Sequence, residues 1–333
     1  MGAVYASFKV FMKLMLQLYF YKIKVEGIEN IPKGVPLLIT PNHQNALIDP
    51  LLVGTHMPIP IHYLTRSDVF KWWIKSFLNK LNMMPIYRIR DGYAKLSLND
   101  AVFASCREVF NERGSVLMFP EGNHGKEYFL RPLTKGAARL ALQSYEEVAE
   151  DLMILPVGLN YFEHRKPNSV VLIKFGGPVT VADYAQQYKK NPAKGLIAMR
   201  DAIAEAMKKT LVIPEETDDY QQKKELMFQQ KNEHLSFSEL KALNFSESID
   251  ENRHHTHLLA KIFNPIPFLI IHRVLNKEED VVFHSTLKFA LGLFAFPVWW
   301  MLVFLLLSFS VGINIATLAV IVMVSGLFYS YQR

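Results

Sequence analysis

The stretch LLITPNHQNALIDP, Leu37 to Pro50, decides how the rest of the chain is read. Its apolar run, Leu37 to Ile39, has the character of a fully buried strand and breaks at Thr40-Pro41-Asn42. His43 follows at the strand's exit, and Asp49 stands six residues on, directly before Pro50. Asp49-Pro50 reads as the N-cap and first residue of a helix, because the carboxylate accepts from free N–H groups and proline needs no donor there. His43 then lies in a strand-to-helix turn with Asp49 at the helix mouth. Six residues along a continuous helix put two side chains on different faces, so pairing His43 with Asp49 requires that turn. A carboxylate that fixes an imidazole's tautomer makes a base able to take a proton from a hydroxyl. A plainer reading stands beside this one, with Asp49 an ordinary cap and His43 a satisfied turn residue.

Outward from this stretch, short β-type runs alternate with helical ones from Tyr21 to about Val212. Strands are expected near Tyr21–Glu26, Pro36–Thr40, Ile61–Thr65, Met84–Arg88, Ser115–Phe119, Met153–Leu159 and Val170–Phe175. Helices are expected near Pro50–Gly54, Val69–Leu81, Ala94–Glu112, Lys135–Glu147, Val181–Tyr188 and Pro192–Leu211. That alternation predicts an α/β domain over 22–213 with a largely parallel central sheet flanked by helices. Ligands of such sheets gather where strands end and loops lead into helices, which is where His43 falls.

The flanks have a different character. The chain has 333 residues, half of them hydrophobic, and the apolar content is concentrated towards its two ends. Over 1–21, Lys9, Lys13 and Gln17 form one narrow polar stripe on a Phe/Met/Leu/Tyr helix. Two mid-span lysines disfavour a spanning helix, so an amphipathic interfacial helix is expected, with a helix packed on the domain as the alternative. The segment 214–256 is rich in Glu, Gln, Lys and Asp and reads as a polar helical linker. In the membrane region, 257–333, an interfacial or re-entrant segment to Leu275 precedes two apolar runs, Phe289–Val311 and Ile315–Tyr329, around a short turn at Gly312–Asn314. These predict a C-terminal transmembrane helical hairpin. Lys288 before it and Arg333 after it put both ends, and the catalytic domain, on the cytoplasmic side.

A net charge of +6 suits anionic lipids or acidic substrates, and without a nucleic-acid-binding motif no nucleic-acid partner is expected. The single cysteine, Cys106, excludes an internal disulfide framework and reads as a core residue of a helix. His254, His255 and His257 cluster without carboxylates or cysteines at ligand spacing, so no metal site is expected.

Three further stretches end strands where a site would lie. In MMPIYRIR, Arg88 follows an apolar strand and suits a forked contact to phosphate, or is a surface arginine. In VLMFPEGNHG, an apolar strand breaks at Phe119-Pro120-Glu121-Gly122, an ordinary turn whose carboxylate also suits a ligand's hydroxyls. LPVGLNYF is a strand ending in Asn160-Tyr161, a candidate pocket wall.

In this order the four stretches resemble the glycerolipid acyltransferase family, which includes lysophosphatidate and glycerol-3-phosphate acyltransferases. The resemblance covers roughly Ile28 to Leu211. NHQNALID matches the family's first motif with five residues between His43 and Asp49, one more than the commonest form and closer to some glycerol-3-phosphate acyltransferases. PIYR matches the second at Arg88 and Pro156-Val157 the fourth. Phe-Pro-Glu-Gly matches the third through Gly122, after which His124 replaces the usual arginine, with Arg131 or Lys135 as substitutes. The resemblance implies that His43 is the base, that Asp49 orients it, and that Arg88, Glu121 and Gly122 belong to acceptor binding. It implies a membrane-bound O-acyltransferase of phospholipid biosynthesis, working on membrane lipids. The donor is an acyl thioester, on coenzyme A or an acyl-carrier protein, and the acceptor a phosphorylated glycerol. No resident cofactor is needed.

Transfer to a hydroxyl demands a base, a placed acceptor, and donors for the developing oxyanion, expected among the backbone N–H groups of the His43 turn. His124, if it supplies part of the missing charge, would do so below about pH 6.5, where a free imidazole gains its proton. A hydrolase would need a nucleophile elbow, and Gly-x-Ser-x-Gly is absent. The alternative from a different class is an inert membrane scaffold of the same fold.

Overall fold

Strand β2, Leu37–Pro41, is buried at every residue and lies at the middle of the sheet. The structure, a computed structural model, describes residues 2–87, 98–227, 229–243, 258–280 and 282–332. Among these, eight strands form one sheet: β1 Lys22–Glu26, β2, β3 His62–Arg66, β4 Met83–Ile86, β5 Ser115–Leu117, β6 Met153–Tyr161, β7 Val170–Phe175 and β8 Val179–Thr180. Their order is β1-β7-β6-β2-β5-β3-β4, with β8 beside β6. The pairs β6–β2, β2–β5, β5–β3 and β3–β4 are parallel, so five strands run one way. Strand β7 pairs antiparallel with β6, and β1 parallel with β7. The largely parallel sheet expected from the sequence is the one observed.

Residues alternate between the two faces of a strand, and both faces here are covered. Leu37 and Ile39 pack with Leu117, Leu155 and Val157 beneath helices α1, Ala3–Tyr19, and α2, Ile48–His56. Leu38 packs on the opposite face with Val116 and Ile154, beneath α4, Leu98–Asn111, and α5, Gly136–Glu147. The same face carries α6, Ala182–Lys190, and α7, Pro192–Lys208. Cys106 is fully buried in this second core. Helix α3, Lys75–Lys80, joins β3 to β4.

Three segments outside the sheet add detail to their sequence readings. Helix α1 packs on the domain through Tyr5, Met12 and Leu16, and Lys9 turns inward to donate to the carbonyl of Met57 at 2.6 Å. Its polar stripe therefore partly faces protein, while Val4, Val10, Phe11, Leu14 and Leu18 face outward. The polar segment after Pro214 is helical over much of its described part and packs on the domain. It forms α8, Tyr220–Met227, and α9, Phe237–Lys241, and Phe237 and Leu240 pack against Phe162, Val170 and Leu172.

The third segment is at the C-terminus. Beyond α10, Leu258–Phe263, and α11, Pro265–Leu275, helix α12 runs from Phe283 to Ser310, beginning six residues before the expected span. It is the one helix, among the described residues, long and apolar enough to cross a membrane. Helix α13, Ile313–Gln332, follows the Gly312 turn and packs along α12, and its apolar part, Ile313–Leu327, is shorter. Fully buried Asn264 ties these helices together, accepting from Trp300 Nε1 at 2.7 Å and donating to the carbonyls of Ala260 and Met323. A buried amide in apolar surroundings has to be satisfied in this way.

Candidate active site

The parallel strands β2, β5 and β6 end together, and the segments just beyond them supply one cluster: His43 and Asp49, Phe119 to His124, and Tyr161. Proline at position 41 has no N–H to continue the ladder, and Asn42 takes over with its side chain. The amide Nδ2 donates to the carbonyl of Leu159 at 3.1 Å, and Leu159 N–H donates back to Oδ1 at 2.7 Å. This staple fixes where the chain turns at His43.

Asp49 lies in the first turn of α2, whose N-cap is Leu47, two residues earlier than the sequence reading placed it. Its carboxylate caps the turn before the helix. Oδ2 accepts from the N–H groups of Gln44, at 2.6 Å, and Asn45, at 2.8 Å, and from His43 Nδ1 at 2.9 Å. Oδ1 accepts from the hydroxyl of Tyr161 at 2.5 Å. Asp49 is fully buried. With Nδ1 donating to this carboxylate, Nε2 of His43 carries the lone pair and is the atom left for chemistry. The imidazole lies flat on Phe119, ring centroids 3.8 Å apart and 14° between planes, so its rotation is blocked as well.

The third motif holds the main chain of the same turn. Glu121 Oε1 accepts from His43 N–H at 2.8 Å, and Oε2 pairs with Arg131 Nε at 2.5 Å. Arg131 also donates to the carbonyls of His43, at 3.2 Å, and Asn123. Gly125 N–H donates to that His43 carbonyl at 3.0 Å, and a Cβ at Gly125 would meet the guanidinium carbon at 2.7 Å, so a larger residue there would push Arg131 aside. Gly122 closes the tight turn with a positive φ of 77°. Burial pushes the Glu121 carboxyl up to about 7, against the pull of Arg131 and the His43 N–H. In the structure, Glu121 and Arg131 thus clamp the His43 backbone. Lys135 stands exposed at the N-cap of α5, next to Thr134, whose N–H and hydroxyl both bond the Pro120 carbonyl. Arg88 lies outside the described residues.

Two expectations change here. The N–H groups of residues 43, 44 and 45 are committed to Glu121 and Asp49, so the oxyanion donors are not these three. His124 is also no cation near neutrality. Its ring lies edge-on to Phe283, centroids 4.7 Å apart, and 5.7 Å from the His43 ring. Burial, aided by His43, lowers its pKa to about 4 in spite of Asp280, whose Oδ2 is 4.0 Å from Nε2.

Sequence reading missed the roof of the site. The first turns of α12 dock here: Thr286 Oγ1 accepts from Leu47 N–H at 3.3 Å, and Ser285 Oγ donates to the carbonyl of His164. Lys288 donates to the carbonyl of Arg165 at 2.8 Å, so this residue belongs to the docked turns. Phe289 packs edge-on against Tyr19 at 5.3 Å. No group of three or more His, Cys, Asp or Glu side chains that could hold a metal ion occurs among the described residues, and His254, His255 and His257 lie outside them.

Residues 22–160 match the family model for acyltransferases. The chain is 30% identical over 122 residues to glycerol-3-phosphate O-acyltransferase 2 of Saccharomyces cerevisiae, which is 35% of this chain and 15% of that protein. It is 27% identical over 127 residues to a chloroplastic 1-acyl-sn-glycerol-3-phosphate acyltransferase of Arabidopsis thaliana, 38% of this chain and 34% of that one. The chain therefore spans well under two thirds of the length of these relatives. Among solved structures it is similar to the 1-acyl-sn-glycerophosphate acyltransferase of Thermotoga maritima, with 20% identity over 58% of this chain and 80% of that one and a TM-score of 0.42. The segment 22–160, which holds both the His43–Asp49 pair and its Glu121–Arg131 clamp, thus matches the acyltransferase family model and is similar to glycerol-3-phosphate and 1-acylglycerol-3-phosphate acyltransferases.

Proposed function

We propose that this protein is a membrane-bound O-acyltransferase that moves a fatty acyl group from a thioester to the hydroxyl of lysophosphatidate, giving phosphatidate. The observation that carries the reading is the His43–Asp49 pair, in which Nδ1 is bound at 2.9 Å and only Nε2 remains free to take a proton. The acceptor's O–H gives its proton to Nε2 as its oxygen bonds to the thioester carbonyl carbon. Asp49 stabilises the imidazolium that forms. When the tetrahedral intermediate collapses, the C–S bond breaks and the thiolate leaves with the proton from His43. Such a base typically contributes about 10²–10⁴-fold. No acyl-enzyme and no resident cofactor are required, and the donor is acyl-coenzyme A or an acyl-carrier protein.

Arg88 is the proposed phosphate holder, because a guanidinium binds phosphate through two parallel hydrogen bonds and Arg131 is already engaged with Glu121. The docking of α12 on the site supports a membrane-borne acceptor, since this is the helix long and apolar enough to span. With α12 and α13 read as spans, the catalytic domain faces the cytoplasm. The five-residue spacing between His43 and Asp49 favours a second reading, with glycerol-3-phosphate as acceptor.

Purified full-length protein, given acyl-coenzyme A and each acceptor in turn, distinguishes the two. His43→Ala should abolish transfer while leaving donor binding intact, and Asp49→Asn should cut the rate severely through the wrong tautomer. Near-wild-type turnover in His43→Ala would sink the mechanism. Absence of transfer to any acceptor would favour an inert scaffold.

A further inference from the structure

The sheet face that carries α1 and α2 ends in an exposed apolar surface. Trp72 and Trp73, in the turn before α3, are 90% and 67% exposed, and Phe77 on α3 is 43% exposed. Lys71, Lys75 and Lys80 surround them and are exposed too. The Phe77 ring meets Phe8 of α1 edge-on at 5.9 Å. Val4 and Phe11, one helical turn either side of Phe8, are exposed, and Leu14 and Leu18 extend the strip along α1. Leu18 then lines a groove of about 1270 Å³ with Phe268 of α11 and Phe296 and Trp300 of α12. Apolar surface therefore runs from the tryptophan pair, along α1, to the free length of α12.

An apolar surface of this extent marks an interaction site. Its composition selects the partner. Tryptophan rings favour the membrane–water boundary, where the ring is buried and the N–H stays wet, and lysines beside them are drawn to anionic headgroups. We propose that Trp72, Trp73 and Phe77, with the outer strip of α1, seat the catalytic domain in the headgroup layer of an anionic bilayer. The α1–α2 face of the sheet then lies against the lipid and the α4–α7 face in water. The proposal rests on α12 being a membrane span, with which this surface is continuous.

The test uses the full chain reconstituted in vesicles of phosphatidylcholine and phosphatidylglycerol. Trp72→Cys supplies a site for an environment-sensitive nitrobenzoxadiazole label. Native Cys106 does not compete, being fully buried with its thiol pushed up to about 12. Lys189→Cys, on α6 across the sheet, is the reference. Lys75→Cys repeats the measurement with both tryptophans in place. We expect blue-shifted emission at positions 72 and 75, quenching by lipids spin-labelled near the headgroup, and several-fold weaker quenching by aqueous iodide than at 189. Iodide quenching at 72 and 75 equal to that at 189, in protein that stays with the vesicles, overturns the proposal and leaves the span intact. Protection that disappears on dilution with empty vesicles assigns the surface to a second copy of the chain and also overturns it. Protein that floats free of the vesicles removes the membrane reading itself.

Discussion

The hydroxyl of Tyr161, at the end of β6, donates to Oδ1 of Asp49, in the first turn of α2, at 2.5 Å. Both residues are fully buried. With Oδ2 taken by two turn amides and His43 Nδ1, this bond leaves the carboxylate no freedom to rotate. Tyr161→Phe keeps the ring and removes the donor, which should cost about 1–3 kcal/mol of stability. It should also lower kcat several-fold, because the less constrained Asp49 holds His43 less well. Acceptor KM should stay nearly unchanged, since Tyr161 acts only through Asp49. A lower melting temperature with an unchanged kcat would give Tyr161 a purely structural part.

The Glu121–Arg131 clamp makes a contrasting prediction. Glu121→Gln leaves an oxygen for the His43 N–H but strips Arg131 of its counter-charge at a site where the carboxylate is almost wholly buried. Breaking such a pair from one side typically costs about 3–5 kcal/mol. A looser His43 turn should reduce kcat and leave acceptor KM nearly unchanged. Steady-state kinetics showing a raised acceptor KM at unchanged kcat would instead put Glu121 on the acceptor.

Half-buried His124 and buried His164 are both held down to about 4, chiefly by desolvation, whereas a free imidazole titrates near about 6.5. Between those values the unfolded chain binds more protons than the folded one. Stability should therefore be full above the upper value and fall as pH drops towards the lower. Denaturant midpoints across the window test this, and His124→Gln should lessen the slope. Acceptor KM should stay level over the same range, since His124 remains neutral there. A KM that improves on acidification and ceases to do so in His124→Gln would restore its role as a phosphate contact.

Removing the C-terminal helices should do more than detach the protein from membranes. A chain ending near Asp280 loses Ser285, Thr286, Lys288 and Phe289, which bond His164, Leu47 and Arg165 and pack on Tyr19. It should melt lower and lose most of its activity. A chain ending after Leu291 keeps these contacts and should retain more of both. Equal thermal stability of the two truncations would show that the docked turns contribute nothing to the domain.

Local pattern carried much of this protein. Apolar runs of strand length alternating with helical periodicity led to a largely parallel sheet, because a strand buried on both faces must be apolar throughout, as Leu37 to Ile39 are. The turn after β2 and the meeting of His43 with Asp49 were legible too, since six residues suffice to close that contact. Even there the helix start lay two residues early, because Asp49 bonds the turn behind it in preference to the helix ahead. The rest came from groups far apart in the chain. Tyr161 reaches Asp49 across 112 residues and Thr286 reaches Leu47 across 239, and no spacing rule operates at such distances. Charge at the site was likewise set by the fold. His124 is an ordinary imidazole in the sequence, and enclosure by Phe283 and the His43 turn keeps it neutral into mildly acidic pH.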